Sequence, residues 1–332
     1  MTVVALDGMG GDHAPRATVE GAVRAAGRGI EIALVGDEAV LARELELAGG
    51  GASISIVHAP DAIEMGDRSA MGMRNRRQSS IYVGMELVKR GAAEAFVSLG
   101  NTGAVLALGL VVLGRRQGVE RPALGALLPR PDRPMLLLDV GANVECRASH
   151  LVQFAHLGAE YMRVFAGVQS PGVGLLNIGG EATKGPPLTL EVHRALAASD
   201  LRFVGNVEGS GIVSGDVDVD VTVTDGFTGN IVLKAIEGVT TVMLEDVEEA
   251  ARDLLPPHVA GLELGPALER VRRRYDYRSY GGGTLLGVNG IVIIGHGRSD
   301  AEAVANAVGT AATVARQGMR ELLGPAISEQ VE

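Results

Sequence analysis

Short apolar runs alternate with amphipathic stretches along most of this 332-residue chain. Residues 3–6, 31–35, 53–57, 95–99, 136–139, 172–177, 201–204 and 219–224 read as strands. Several of them, 95–99 and 136–139 among them, are apolar without alternation, as strands buried on both faces should be. Between them, 17–26, 39–47, 79–90, 151–165 and 188–198 carry apolar positions at helical spacing. This βαβ rhythm predicts an α/β fold: a doubly wound, mostly parallel sheet with helices on both faces. The one irregular stretch is 254–265, where Pro256 and Pro257 interrupt any helix between an acidic segment, 245–252, and a basic one, 272–274. No internal repeat or low-complexity linker is evident. The chain reads as a single unit, 1–332, with a border between two lobes near 140–170.

Glycine sharpens this picture. It fills 47 positions, about double its usual share of ~7%, and clusters where the strands end. Loops of Gly, Asn and Asp occupy positions 7–12, 100–103, 139–143, 177–180, 205–209 and 225–230. Ligands of open α/β sheets bind outside the carboxyl ends of the strands, so these loops are expected to share a crevice. Any one of them alone is equally a plain turn. Gly100, Asn101, Thr102 and Gly103, followed by an apolar helical run, have the form of an anion site built from backbone N–H groups at a helix start. Neither G-x-x-x-x-G-K-[ST] nor G-x-G-x-x-G is present, so inorganic phosphate or a phosphoryl group fits better than a nucleotide.

Charge and composition narrow the classes further. A net charge of −10, 3% aromatics and no tryptophan argue against a nucleic-acid binder. A single cysteine, Cys146, allows no intrachain disulfide and no cysteine-built zinc site. The first residues read as strand and turn rather than as a signal peptide. The longest uninterrupted apolar run, 104–113, is half of the ~20 residues a bilayer span needs. A soluble cytoplasmic protein is the expectation. Only three of its 30 basic residues are lysine, Lys89, Lys184 and Lys234, which singles out Lys184 and Lys234, each beside a glycine-rich loop. His13, His296, Ser79, Ser80 and Cys146 are further candidates for acid–base or nucleophilic work, each with an equally good reading as a structural residue.

Taken in order, these motifs resemble the bacterial phosphate acyltransferases of the PlsX type, acyl-ACP:phosphate acyltransferases of phospholipid synthesis. The resemblance covers essentially the whole chain, from the 6–12 and 63–65 segments through Ser79-Ser80, 100–104, 138–143, 174–179 and Lys184-Gly185 to 205–209, 225–230, 286–290 and 295–297. It implies an isocitrate/isopropylmalate dehydrogenase-like fold and a homodimer. It also implies transfer of a long fatty acyl group from acyl carrier protein to inorganic phosphate, with no metal and no organic cofactor. The acyl phosphate would be consumed by a membrane glycerol-3-phosphate acyltransferase, so peripheral association with the inner face of the membrane is expected.

Under that resemblance, Lys184 and Asn230 are the expected catalytic residues. Lys184 with Gly100, Asn101, Thr102 and Gly103 would hold phosphate, and Asn230 would donate to the thioester oxygen as it becomes an oxyanion. His296 or water would help the leaving thiol. Asn143, Asn177 and Asp225, with Gly226 and Gly229, would orient these donors. Arg272, Arg273 and Arg274 would dock the acidic carrier protein. A coenzyme A-dependent phosphate acyltransferase, a dehydrogenase and a non-catalytic phosphate sensor remain rival readings.

Overall fold

In the computed structural model the described residues are 2–318, apart from 68–71, 73–74, 132, 255, 257–264 and 276–280. Eleven strands in these residues form one sheet: β1 (Val3–Asp7), β2 (Glu31–Gly36), β3 (Ile54–His58), β4 (Ala95–Ser98), β5 (Ala123–Leu128), β6 (Met135–Leu138), β7 (Val173–Leu176), β8 (Phe203–Val207), β9 (Val221–Val223), β10 (Gly283–Leu286) and β11 (Ile291–Ile294). Their order is β3-β2-β1-β4-β11-β10-β5-β6-β9-β7-β8. The mostly parallel, doubly wound sheet expected from the βαβ rhythm is there.

The direction of its strands is not what the loops suggested. Three consecutive pairings, β11/β10, β10/β5 and β5/β6, are antiparallel, while the other pairings are parallel. An odd number of reversals makes β6, β9, β7 and β8 run opposite to β1, β2, β3, β4 and β11. The loops after β1 and β4 therefore lie on one edge of the sheet, and those after β6, β7, β8 and β9 on the other. Six loops do not meet in one crevice.

Helices cover both faces. On one lie α1 (Arg16–Gly27), α2 (Glu38–Leu47), α5 (Ala148–Phe165), α6 (Pro187–Ala197) and α10 (Ala301–Arg316), packed through residues such as Val19, Leu41, Phe154, Val192 and Val308. On the other lie α3 (Ser80–Lys89) and α4 (Thr102–Leu108), the latter continuing through a π-wound turn, Gly109–Leu113. The short α7 (Gly211–Ser214) packs Ile212 on this same face. α8 (Gly226–Leu254) joins it through Val232, Leu233 and Ile236, and α9 (Gly265–Tyr275) follows. By length and composition α8 could cross a membrane, which a search for uninterrupted apolar runs does not reveal. Its first turn is fixed in the fold instead: the Gly226 N–H donates to the Asn143 carbonyl (2.7 Å), and Gly226 and Gly229 are buried. Most of 254–265 lies outside the described residues.

Candidate active site

Two buried carboxylates organise the strand ends. At the end of β1, Asp7 accepts from Ser98 Oγ (2.7 Å) and from the Met9 N–H (3.1 Å). Ser98 Oγ in turn accepts from the Gly100 N–H (3.1 Å), so the 100–103 turn is tied back to Asp7. Burial pushes the Asp7 carboxyl above its ordinary range, against hydrogen bonds from Ser80 and Ser98. At the end of β6, Asp139 Oδ1 accepts from the N–H groups of Leu124, Gly141 and Ala142 (3.0–3.1 Å). Its Oδ2 accepts from the N–H and Nδ2 of Asn143 (2.7 and 2.8 Å). Here too burial outweighs the donors and raises the carboxyl.

Between these two ends runs a groove of about 510 Å³, within the ~300–1,000 Å³ of small-molecule sites. Strand β5 forms its floor with Leu124, Ala126 and Leu128, and α4 and α8 form its walls with Leu106, Leu233 and Ile236. One end holds Gly100, Thr102, Gly103 and His296; the other holds Val140, Gly141 and Asn230. Strand register explains the first cluster: Ile294 of β11 pairs with Ser98 of β4, and each chain then turns two residues later, at His296 and Gly100. In the second cluster, Asn230 Nδ2 lies so close over Gly141 that a Cβ there would come within 3.0 Å of it. Lys234, one turn beyond Asn230, and Glu237 also line the groove, with Nζ and Oε2 2.7 Å apart. Burial first, then the Lys234 ammonium, hold His296 below its usual pKa, while Glu237 pulls the other way.

The structure thus gathers Gly100, Thr102, Gly103, Asn230 and His296 of the expected site, and separates the rest. The Gly100 N–H is spent on Ser98, which leaves the first-turn N–H groups of the exposed Thr102 and Gly103, which lack intrahelical acceptors, as the candidate anion donors at this end. Asn101 is committed to structure: Oδ1 caps α4 at the Ala104 N–H (3.0 Å), and Nδ2 donates to the Met65 and Asp67 carbonyls (3.1 and 2.9 Å). Arg76 completes that strap, with hydrogen bonds to Asp61 and Asp67. Asn143 is held by Asp139 and the Pro122 carbonyl, and Asp225 caps α8 through Thr228. Gly226 and Gly229 serve close approach to Asp139 and Asn143. Lys184 does not line the groove; it is half exposed beside Glu181, and its carbonyl accepts from Asn177 Nδ2 (3.0 Å) on the edge where β7 ends.

The other candidates are structural or exposed. Ser79 caps α3, accepting from the Tyr82 N–H, Ser80 is bonded to Asp7, and His13 is exposed. Burial, with Asp139 and Asp225 nearby, pushes the Cys146 thiol up to about 11, the wrong direction for a nucleophile. Arg272 is paired with Glu248 of α8, and Arg274 donates to the Arg130 and Pro131 carbonyls, so these two hold α9 in place. The Arg273 side chain lies outside the described residues.

The model of the fatty acid synthesis protein family matches residues 2–322. A phosphate acyltransferase of Myxococcus xanthus is 48% identical over 321 residues, covering 95% of this chain and 90% of the relative. One from Moorella thermoacetica is 45% identical over 330 residues, covering 98% and 97%. The chain belongs to the phosphate acyltransferase family. Family membership makes it an acyltransferase of a fatty acid synthesis family. Its fold is shared with a phosphotransacetylase of Streptococcus pyogenes (TM-score 0.62, 18% identity, 95% of this chain and 94% of that one). A 4-hydroxythreonine-4-phosphate dehydrogenase of Burkholderia phymatum is similar in fold as well (TM-score 0.52, 15% identity, 95% and 98%).

Proposed function

We propose that this acyltransferase moves a long fatty acyl group from acyl carrier protein to inorganic phosphate in the groove. One observation carries the reading: a single groove joins first-turn N–H groups suited to an anion with a long apolar floor along β5. Hydrogen phosphate attacks the thioester carbonyl; the C–O bond forms, the C–S bond breaks, and the phosphate proton leaves on the carrier thiol. The N–H groups of Thr102 and Gly103 orient the phosphate. Asn230 donates to the carbonyl oxygen as its charge develops. Neutral His296 stands at the phosphate end to relay the proton. Lys184, which lies outside the groove on the far edge with Asn177, is given no part in holding phosphate.

We also propose a cytoplasmic homodimer working beside the membrane acyltransferase that uses acyl phosphate. Exposed Val239, Val242, Met243 and Val247 give α8 a continuous apolar stripe, which is the surface proposed for the second copy. The test of the function is phosphate-dependent release of free thiol from palmitoyl-acyl carrier protein, with palmitoyl-coenzyme A in parallel and hydroxylamine to trap acyl phosphate. Release from the carrier substrate alone supports the reading. Release from coenzyme A alone would replace it with the coenzyme A-dependent activity, and release from neither would refute both.

A further inference from the structure

We infer that Lys234, anchored by Glu237, is the cation that contacts phosphate in the groove; this rests on the reading that phosphate is a substrate.

Position is the first argument. Asn230, Lys234 and Glu237 follow at helical spacing along α8 and all three line the groove, so they form one stripe facing β5. Lys234 sits on the His296 side of Asn230, toward the end where Thr102 and Gly103 turn into α4. The low pKa of His296, for which the Lys234 ammonium is the leading charged cause, agrees with that placement. Of the three lysines, Lys89 lies on α3 paired with Glu86, and Lys184 lies on the other edge of the sheet. Arg298, two residues beyond His296, is the remaining groove cation; it is exposed, as Lys234 is, but it is Lys234 that Glu237 holds in place.

Chemistry is the second. The Glu237 side chain is 16% exposed and pairs at 2.7 Å with the Lys234 ammonium, whose side chain is 47% exposed. That contact takes one of the three N–H donors of the Lys234 ammonium and fixes the head group, leaving two donors for phosphate oxygens. A compact ammonium also offsets the repulsion between hydrogen phosphate and the negative charge forming on the thioester oxygen. Glu237 is then a positioning residue, acting through Lys234.

The test compares the parent with Lys234→Gln, Lys234→Met and Lys234→Arg, and with Lys89→Gln as a control for loss of a surface lysine. Binding of inorganic phosphate is measured by calorimetry, and KM for phosphate and for palmitoyl-acyl carrier protein by thiol release. Lys234→Gln should weaken phosphate binding and raise its KM about 10–100-fold, the size of a lost charge-assisted hydrogen bond. KM for the carrier substrate should stay within about twofold of the parent, Lys234→Arg should recover most of the loss, and Lys89→Gln should match the parent. Lys234→Met, which keeps the stem, provides the same comparison if the Gln variant does not fold. Phosphate affinity and KM within about twofold of the parent in both neutral variants would overturn the inference. If the parent binds phosphate but transfers no acyl group, weakened binding in the variants still supports Lys234, and only the substrate reading falls. If the parent binds no phosphate, both fall.

Discussion

Gly229→Ala tests how tightly the groove wall is coupled to the sheet. A Cβ at Gly229 would lie 1.9 Å from the Asp139 carbonyl oxygen and 3.0 Å from both the Asp139 carbonyl carbon and Thr224 Cγ2. The first contact is about 1.5 Å short of ordinary van der Waals distance, and it is made to backbone, which cannot rotate away. The start of α8 must therefore retreat from the Asp139 turn, carrying Asn230, Leu233 and Lys234 with it. Overpacking of this kind costs about 1–3 kcal/mol, against about 1 kcal/mol regained from the helix preference for alanine. Stability should thus fall by no more than about 2 kcal/mol. Activity should fall much further, since a displacement near 1 Å of positioned groups can cost ~10²-fold. Urea unfolding and thiol release from palmitoyl-acyl carrier protein measure the two effects. Gly238→Ala is the matching control: a Cβ there meets nothing within 4 Å, so it should gain about 0.5–1 kcal/mol of stability. A Gly229→Ala enzyme with unchanged urea midpoint and near-parental kcat/KM would refute the reasoning.

Four further outcomes are expected. The His296 ring should titrate below 6.5 by proton NMR and move upward in Lys234→Gln; because its folded pKa is depressed, its contribution to stability is present above about pH 6.5 and is lost as pH falls through the folded value. Asn101→Ala should cost about 1 kcal/mol through the lost α4 cap, and should also speed proteolysis within 61–67, whose Met65 and Asp67 carbonyls it holds, whereas an Ala variant with parental protection would show those contacts to be idle. Ala126→Leu, which adds bulk at the middle of the groove floor, should lower kcat/KM for palmitoyl more than for a short acyl substrate, and equal losses for both would remove β5 from the chain-binding surface. Val239→Glu with Met243→Glu should convert the proposed dimer to monomer by light scattering; an unchanged mass would discard α8 as the interface.

What the sequence makes legible depends on distance along the chain. Strand runs, glycine-rich strand ends and the first turn of α4 are local patterns, and they lead straight to Gly100, Thr102, Gly103, Asn230 and His296. Choosing between Lys184 and Lys234 is not local, because it depends on which way each half of the sheet runs. That direction is set by β10 and β5, neither of which reads as a strand. β5 is Ala-Leu-Gly-Ala-Leu-Leu, poor in β-branched residues, and its Gly125 is demanded only by Leu136 and Leu138 of β6, whose Cδ1 atoms a Cβ would approach to 2.9 and 3.2 Å. α8 is masked in the opposite way, by Val, Ile and Thr residues that lower helix propensity while the tertiary contacts at Gly226 and Gly229 hold it helical. The basic run at 272–274 reads as an open docking patch until the partners of Arg272, Glu248, and of Arg274, two carbonyls 143–144 residues away, are seen.

The reversal that scatters the six loops is also what makes the site long. Had every strand run the same way, α4 and α8 would both start on one edge, and their first turns would crowd around one compact crevice. With β5 and β6 antiparallel, α4 starts on one edge and α8 on the other, and the two helices cross the same face in opposing senses. Their first turns then mark the two ends of a groove whose length is that of β5. A strand rises about 3.3 Å per residue, so from Leu124, beside Asp139, to Leu128, about level with Gly100, the floor extends roughly 13 Å along the strand. Asn230 and Lys234, one and two turns into α8, carry donors back toward the phosphate end. An acyl phosphate has one highly charged end and one apolar chain, and a groove with donors at its phosphate end and Leu124, Ala126, Leu128, Leu233 and Ile236 along its length matches both parts at once. A compact crevice would have room for the charged end alone. Because the sheet is shared with a phosphotransacetylase, the case for a long acyl group under the proposed function rests on the apolar side chains that line this groove rather than on the sheet itself.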